Sequence, residues 1–380
     1  MSLGRPLDIV VLGLSITSSW GNGHATTYRA LLRALAERGH RVRFLERDVL
    51  WYAQNRDLPQ PPFCRTDLYT SLQQLRDRHA RAVASADLVI LGSFVPEGIA
   101  VARWLLSVAR GRTAFYDIDT PATLSALEAD RCEYLDRSLV PEFDLYLSFT
   151  GGPTLRRLEN QFRARRAFPL YCSFDEDAYY PEAHAQRWLL GYMGTYSADR
   201  QPGLQTLLLD PARQRPDDAF AVVGPLYPAH LAWPANVQRI QHLSPAEHRA
   251  FYCAQRFTLN LTRADMRAVG YSPSVRLFEA AACGTAIISD PWCGLDDLLA
   301  PDEEIFVVHS PAEMLRLLRD VSPERAQAAG ERARRRVLSS HTARHRAQAL
   351  EGYLAILDRR SREDADTVPI RSVRAHHPQR

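Results

Sequence analysis

The strongest constraint on this chain is an alternation of short apolar strands with helical segments that runs once, stops and starts again. Residues 9–14 form an apolar run that opens onto a Gly- and Ser-rich loop. A helical stretch with Leu31, Leu32, Leu35 and Ala36 follows and ends at Gly39, and in residues 41–45 Val42 and Phe44 alternate with arginines. Residues 88–91, 113–116 and 145–149 are further strand candidates, the last ending on Gly151-Gly152. The series restarts at residues 188–193, ending at Gly194, and continues through 219–223, 257–261, 286–288 and 305–308. Strands that alternate with helices predict parallel sheets covered on both faces. The chain therefore reads as two doubly wound α/β halves, 1–182 and 183–340. A helix over 341–360, with Leu350, Tyr353, Leu354 and Leu357 as its apolar stripe, is expected to pack back on the first half. Residues 361–380 lack an apolar face and are expected to form a mobile tail.

Helix starts carry their own chemistry. Thr120 before Pro121 reads as an N-cap with Pro at the first helical position. Ser244-Pro245-Ala246-Glu247 and Ser310-Pro311-Ala312-Glu313 read as capping boxes.

The 380 residues contain no lysine, so all 47 basic side chains are arginine, against 44 acidic ones. This excludes a P-loop lysine, a Schiff base and a catalytic ammonium base. A phosphate that meets a fixed cation here must meet the planar fork of arginine. A net charge of +3 without a concentrated basic stripe argues against nucleic-acid binding. The apolar run near the start is too short for a membrane span or a signal peptide. The six cysteines are scattered and include no CxxC pair, so no zinc site or disulfide framework is expected, and a reducing cytoplasm fits.

Two segments could carry chemistry. The first is the loop Thr17-Ser18-Ser19-Trp20-Gly21-Asn22-Gly23-His24, a Gly-rich turn opening a helix but not GxGxxG. Free backbone amides in such a turn can hold an anion, and His24 would sit at the carboxyl end of a strand, where open α/β sheets bind ligands. The second runs from Gly270-Tyr271-Ser272-Pro273-Ser274 through Val275-Arg276-Leu277-Phe278-Glu279 to Gly284. Glu279 lies in an otherwise apolar helix, where a carboxylate requires partners. Either Arg276, one turn earlier, or a pair of ligand hydroxyls would suit it.

The segment LFEAAACGTAIISD resembles the nucleotide-sugar-binding segment of GT-B glycosyltransferases, and YSPSVRLFEAAACG is similar to the spore-maturation-protein (CgeB-like) type. GNGHATTYRALLRALAERGHRV resembles the opening of the acceptor domain of that superfamily, and the likeness extends over residues 7–357. It implies two Rossmann-like domains facing a cleft and sugar transfer from a nucleotide-diphosphate sugar to an acceptor. The acceptor, a glycan, small molecule or protein, stays open, as do the donor nucleotide and sugar, the stereochemistry and the oligomeric state. No cofactor, metal or stable membrane insertion is implied.

By position, the resemblance implies that Glu279 takes the ribose hydroxyls and that the backbone of Ser272, Pro273 and Ser274 faces the diphosphate. Gly194, Thr195 and Tyr196 would lie beside the donor. Trp20, Gly21, Asn22, Gly23 and Phe94 would line the acceptor side. Tyr271 stands where many retaining members carry a second glutamate. The departing diphosphate needs cations, and with no lysine the candidates are Arg200, Arg263, Arg267 and Arg276. His24 and Asp119 are the candidate bases. Asp117-Ile118-Asp119 has the spacing of a metal-binding pair but falls in the acceptor half. A nucleotide-sugar epimerase of the same fold, or a catalytically idle sugar-nucleotide binder, would share these features.

Overall fold

The computed structural model describes residues 5–366. Its core is two wholly parallel sheets. The first contains β1 (Asp8–Gly13), β2 (Arg41–Arg47), β3 (Arg65–Tyr69), β4 (Leu88–Gly92), β5 (Arg112–Asp117), β6 (Leu145–Ser148) and β7 (Ala167–Pro169), in the order β3-β2-β1-β4-β5-β6-β7. The second contains β8 (Trp188–Met193), β9 (Phe220–Val223), β10 (Val237–Ile240), β11 (Gln255–Asn260), β12 (Ala286–Ser289) and β13 (Phe306–Val307), in the order β10-β9-β8-β11-β12-β13. The chain winds one way from the first strand of each sheet, then returns and winds the other way. The order thus reverses between β1 and β4 in one domain and between β8 and β11 in the other. Such switch points are where open α/β sheets bind ligands.

Several interior strands are short, largely apolar runs because helices cover both their faces. Every residue of β4, β6, β9 and β12 is buried. The expected strands all form. Three that the pattern missed, β3, β7 and β10, are edge strands whose residues are partly exposed. An edge strand covers less apolar surface and so shows less of it in sequence.

Helix starts follow their caps with small shifts. Ser244 makes the full capping box with Glu247. At Ser310 the hydroxyl accepts from the Glu313 amide, but the Glu313 carboxylate accepts from His309 N instead. Thr120 is not the cap expected of it. Helix Thr120–Glu128 is preceded by Asp119, and the Thr120 hydroxyl donates to the carbonyl of Asp117 (3.0 Å).

The two domains are joined by several direct bonds. Gly151 N donates to Tyr271 O (2.9 Å), and the hydroxyls of Thr150 and Ser272 lie 2.5 Å apart. The chain crosses back after Ser340, where Ala343 N donates to Phe174 O. The last helix, Ala343–Asp366, lies on the first domain. There the Glu351 carboxylate accepts from Arg38 (2.6 Å) and contacts His40 (2.9 Å). This helix passes residue 360, and the rest of the expected tail, 367–380, lies outside the described residues.

Candidate active site

A cavity of about 460 Å³ opens between the two domains. The segments that follow the carboxyl ends of β1, β4, β5 and β6 line one wall, and those that follow β8, β9, β10 and β11 line the other. Both switch points therefore face it.

The first wall is built on the loop after β1. Glu46, at the end of β2, is fully buried. Its carboxylate accepts from Ile16 N (2.7 Å), Thr17 N (3.1 Å), Thr17 Oγ1 (2.6 Å) and Ser15 Oγ (3.0 Å). Asp57 accepts from Ser19 N, and the Ser15 hydroxyl accepts from Ser18 N. Asn22 ties the far end. Its amide donates to the carbonyls of Ser15 and Ser18, and its oxygen accepts from His24 N (3.0 Å). The amides of Ile16, Thr17, Ser18 and Ser19 are thus taken, and the bonds of Asn22 set His24 at the start of helix His24–Glu37.

His24 Nε2 lies 2.5 Å from Asp119 Oδ2, while Nδ1 is buried with no partner among the described residues. The Asp119 side chain is 29% exposed and that of His24 11%, so the carboxylate is what the dyad offers to the cleft. Burial works against the Asp119 charge, but the His24 charge and hydrogen bond, with Arg263 across the cleft, outweigh it and hold the carboxyl below its ordinary range. Asp117 points inward, accepting from Tyr146 (2.5 Å) and Thr123 (2.6 Å), and burial pushes it up to about 6. The two aspartates thus serve different surroundings and do not form a common metal-binding pair.

The second wall is the opposite case. Arg276, nearly buried, donates from Nε to Met193 O (2.7 Å) and from Nη1 to Asn260 Oδ1 (2.9 Å), which points Nη2 at Gly194. Arg200 donates to Thr195 O, and its Nε has no partner among the described residues. Neither of these, nor Arg263, has a carboxylate partner among the described residues, whereas arginines such as Arg29, Arg38 and Arg47 each do. Ser274 precedes helix Val275–Ala282 and gives its hydroxyl to Asn260 rather than to the helix amides. Gly224 brings the loops after β8 and β9 together. It holds φ 140°, and a Cβ there would sit 2.1 Å from Gly194 O.

Glu279 lies deeper on the same wall. Arg276 does not pair with it. Tyr252 donates to it (3.2 Å), Tyr179 also faces it, and His248 Nδ1 is 3.9 Å away. Burial pushes Glu279 up to about 7, against the two hydroxyls and the Arg276 charge, and pushes His248 down to about 4. Below neutrality this is a neutral cluster rather than an ion pair.

Of the residues expected from sequence, His24, Asp119, Gly21, Asn22, Gly23 and Phe94 line the first wall, and Gly194, Thr195, Arg200, Arg263, Ser274, Arg276 and Glu279 line the second. Six others lie off the lining. Arg267 pairs with Asp290 (3.3 Å). Ser272 and Pro273 are buried, Ser272 against Thr150, so their backbone does not face the cleft. The Tyr271 ring fills the space above Gly152 and Gly294, on the domain seam. Tyr196 packs on Tyr227, and Trp20 packs on His242 (ring centres 4.5 Å apart). His242, Leu243, His248, Tyr252 and Gly224 line the cavity unexpectedly. The histidines follow a segment whose SPAE motif signals only a cap, while the glycine closing the strand at 223 was a signal available for Gly224.

Residues 200–352 match the model of the glycosyl transferase-like family. No curated protein matches the chain. Among solved structures, sucrose-phosphate synthase from Thermosynechococcus elongatus superposes with a TM-score of 0.66 at 16% identity, covering 95% of this chain and 100% of that one. An alpha-glucosyltransferase in complex with UDP-glucose and DNA containing an abasic site gives 0.69 at 14%, covering 92% and 100%. The Anabaena protein HepE in complex with UDP and glucose gives 0.66 at 13%, covering 92% and 99%. The fold is that of the GT-B glycosyltransferases.

Proposed function

We propose that this chain transfers a sugar from a nucleotide-diphosphate donor held on its second wall to an acceptor held on its first, without a metal ion. The observation that carries the reading is the cluster Arg200, Arg263 and Arg276. These are cations without carboxylate partners among the described residues, on a wall whose other charged lining group is the buried Glu279. Unpaired cations in a cleft are costly unless an anion arrives, and a diphosphate supplies it. Glu279, with tyrosines as its partners, retains acceptor capacity for two ribose hydroxyls. UDP is the first nucleotide to try, because two of the similar structures contain it or UDP-glucose.

Asp119 is the base in this reading. It is the exposed member of the dyad, and His24 orients it and supports its charge. As the bond from the anomeric carbon to the diphosphate breaks, the acceptor oxygen bonds to that carbon and its proton passes to Asp119. The arginines stabilise the charge on the departing diphosphate. Tyr271 turns its ring to the seam and offers no carboxylate to the donor sugar, which separates this site from retaining members that carry a glutamate there. We read CgeB-like kinship and a cytoplasmic setting on the same footing, from the C-terminal motif and the unpaired cysteines. Among the described residues no helix is long and apolar enough to cross a membrane.

The test is a thermal-shift screen of nucleoside diphosphates and nucleotide sugars on the full chain. A site-specific donor raises the melting temperature by mass action. The Glu279→Ala variant should lose that shift, and an unchanged shift would remove the ribose assignment. Donor incubated alone should release no epimer, the product that an epimerase would give.

A further inference from the structure

Phe94 is held in a conformation that packing alone does not explain. It follows β4 with φ 61°, a left-handed backbone that bulky side chains rarely adopt, and 41% of it is exposed. The neighbouring bonds do not relax it. Ser93 N donates to Tyr116 O and the Ser93 hydroxyl accepts from Ile118 N, which pins the turn to β5. The ring lies on Tyr134 (centres 4.4 Å apart) and meets His24 edge-on at 5.8 Å, beside the dyad. A strained, half-open aromatic at a reactive centre marks a place where the fold gives up stability for a ligand.

The same wall also states what that ligand lacks. Among the described residues, no arginine of the first domain lines the cleft, and in the loop after β1 the amides of Ile16, Thr17, Ser18 and Ser19 are taken by Glu46, Asp57 and Ser15. A phosphate or carboxylate on the acceptor would meet Asp119, to which His24 is already committed, and no arginine on this wall. We propose that Phe94 is the stacking platform of the acceptor subsite, and that the acceptor is an uncharged ring-bearing alcohol, a pyranose or its glycoside. It lies with the C–H face of its ring on Phe94 and one hydroxyl at Asp119. This rests on the transfer reading above and names its second substrate.

Saturation-transfer NMR tests it on the full chain with UDP present, using methyl glucoside, methyl galactoside and methyl mannoside beside glucose 6-phosphate, galactose 6-phosphate and mannose 6-phosphate. At least one methyl pyranoside should show saturation of its ring C–H signals and bind more tightly than its phosphorylated counterpart. Phe94→Leu should weaken it by about fivefold to tenfold, and Phe94→Trp should keep it. Equal binding by Phe94→Leu, tighter binding of the phosphates, or no saturation of any ring would overturn the proposal. UDP titrated calorimetrically into the same variants separates the two readings. If UDP binds and the rings fail, the acceptor proposal alone falls. If UDP itself does not bind, the donor reading falls and takes this one with it.

Discussion

The two walls of the cleft use the same kinds of residue for opposite ends. On the first, a buried glutamate, Glu46, meets four donors from its own domain, and the loop it holds keeps few open polar groups. On the second, a buried glutamate, Glu279, meets tyrosine hydroxyls and His248, and the arginines near it bond carbonyls and an asparagine rather than carboxylates. Satisfied polar networks rigidify a structure, while unsatisfied charge stores affinity for what will neutralise it. In the proposed reading, the difference gives positioning to the first wall and binding of an anion to the second.

The largest effect should come from Asp119, the more exposed member of the dyad on the first wall. Asp119→Asn is expected to lower the transfer rate by about 10²–10⁴-fold. Its affinity for UDP should stay within about twofold, so a steady-state assay beside calorimetry separates the two roles. Removing the clamp behind it should act on the fold instead. Glu46→Ala leaves Ile16 N and Thr17 N buried without acceptors and should cost about 2–4 kcal/mol in urea unfolding, with UDP binding intact.

Glu279→Gln should do the reverse. Burial raises Glu279 from its ordinary 4.5 to about 7. The unliganded fold is therefore favoured while this carboxyl is protonated and loses that advantage as pH rises from about 4.5 to 7. At pH 8 the Gln variant should be more stable than the parent by about 1–3 kcal/mol while losing nucleotide affinity, a trade of stability against function. For the same reason UDP affinity in the parent should rise with pH by at most about tenfold per unit and level off above about pH 7. That dependence should be absent in Glu279→Gln. The smallest effect is expected at Arg267, whose charge Asp290 already meets. Arg267→Ala should change UDP affinity by less than about threefold.

How much of this was legible in sequence follows the same division. Strands buried on both faces are unbroken apolar runs, and these could be read. RTDLY and VQRI, at the sheet edges, each hold only two apolar residues, and AFP is short and ends in proline. The helix motif with Arg276 and Glu279 could be read because a carboxylate stands out among alanines. The anchoring of the Gly-rich loop could not, because the amides of Ile16, Thr17 and Ser19 are held by Glu46 and Asp57, which only the fold brings near. Tyr271 was visible as a departure, but its destination on the domain seam depends on Gly152, more than a hundred residues earlier.

The most direct measurement is calorimetric titration of UDP into the wild-type chain, Arg276→Ala and Asp119→Asn. Wild type and Asp119→Asn should bind alike, and Arg276→Ala should lose about 2–4 kcal/mol of affinity. Loss of binding in Asp119→Asn with retention in Arg276→Ala, or no binding of UDP or any other nucleoside diphosphate by wild type, would contradict the assignment of the donor to the second wall.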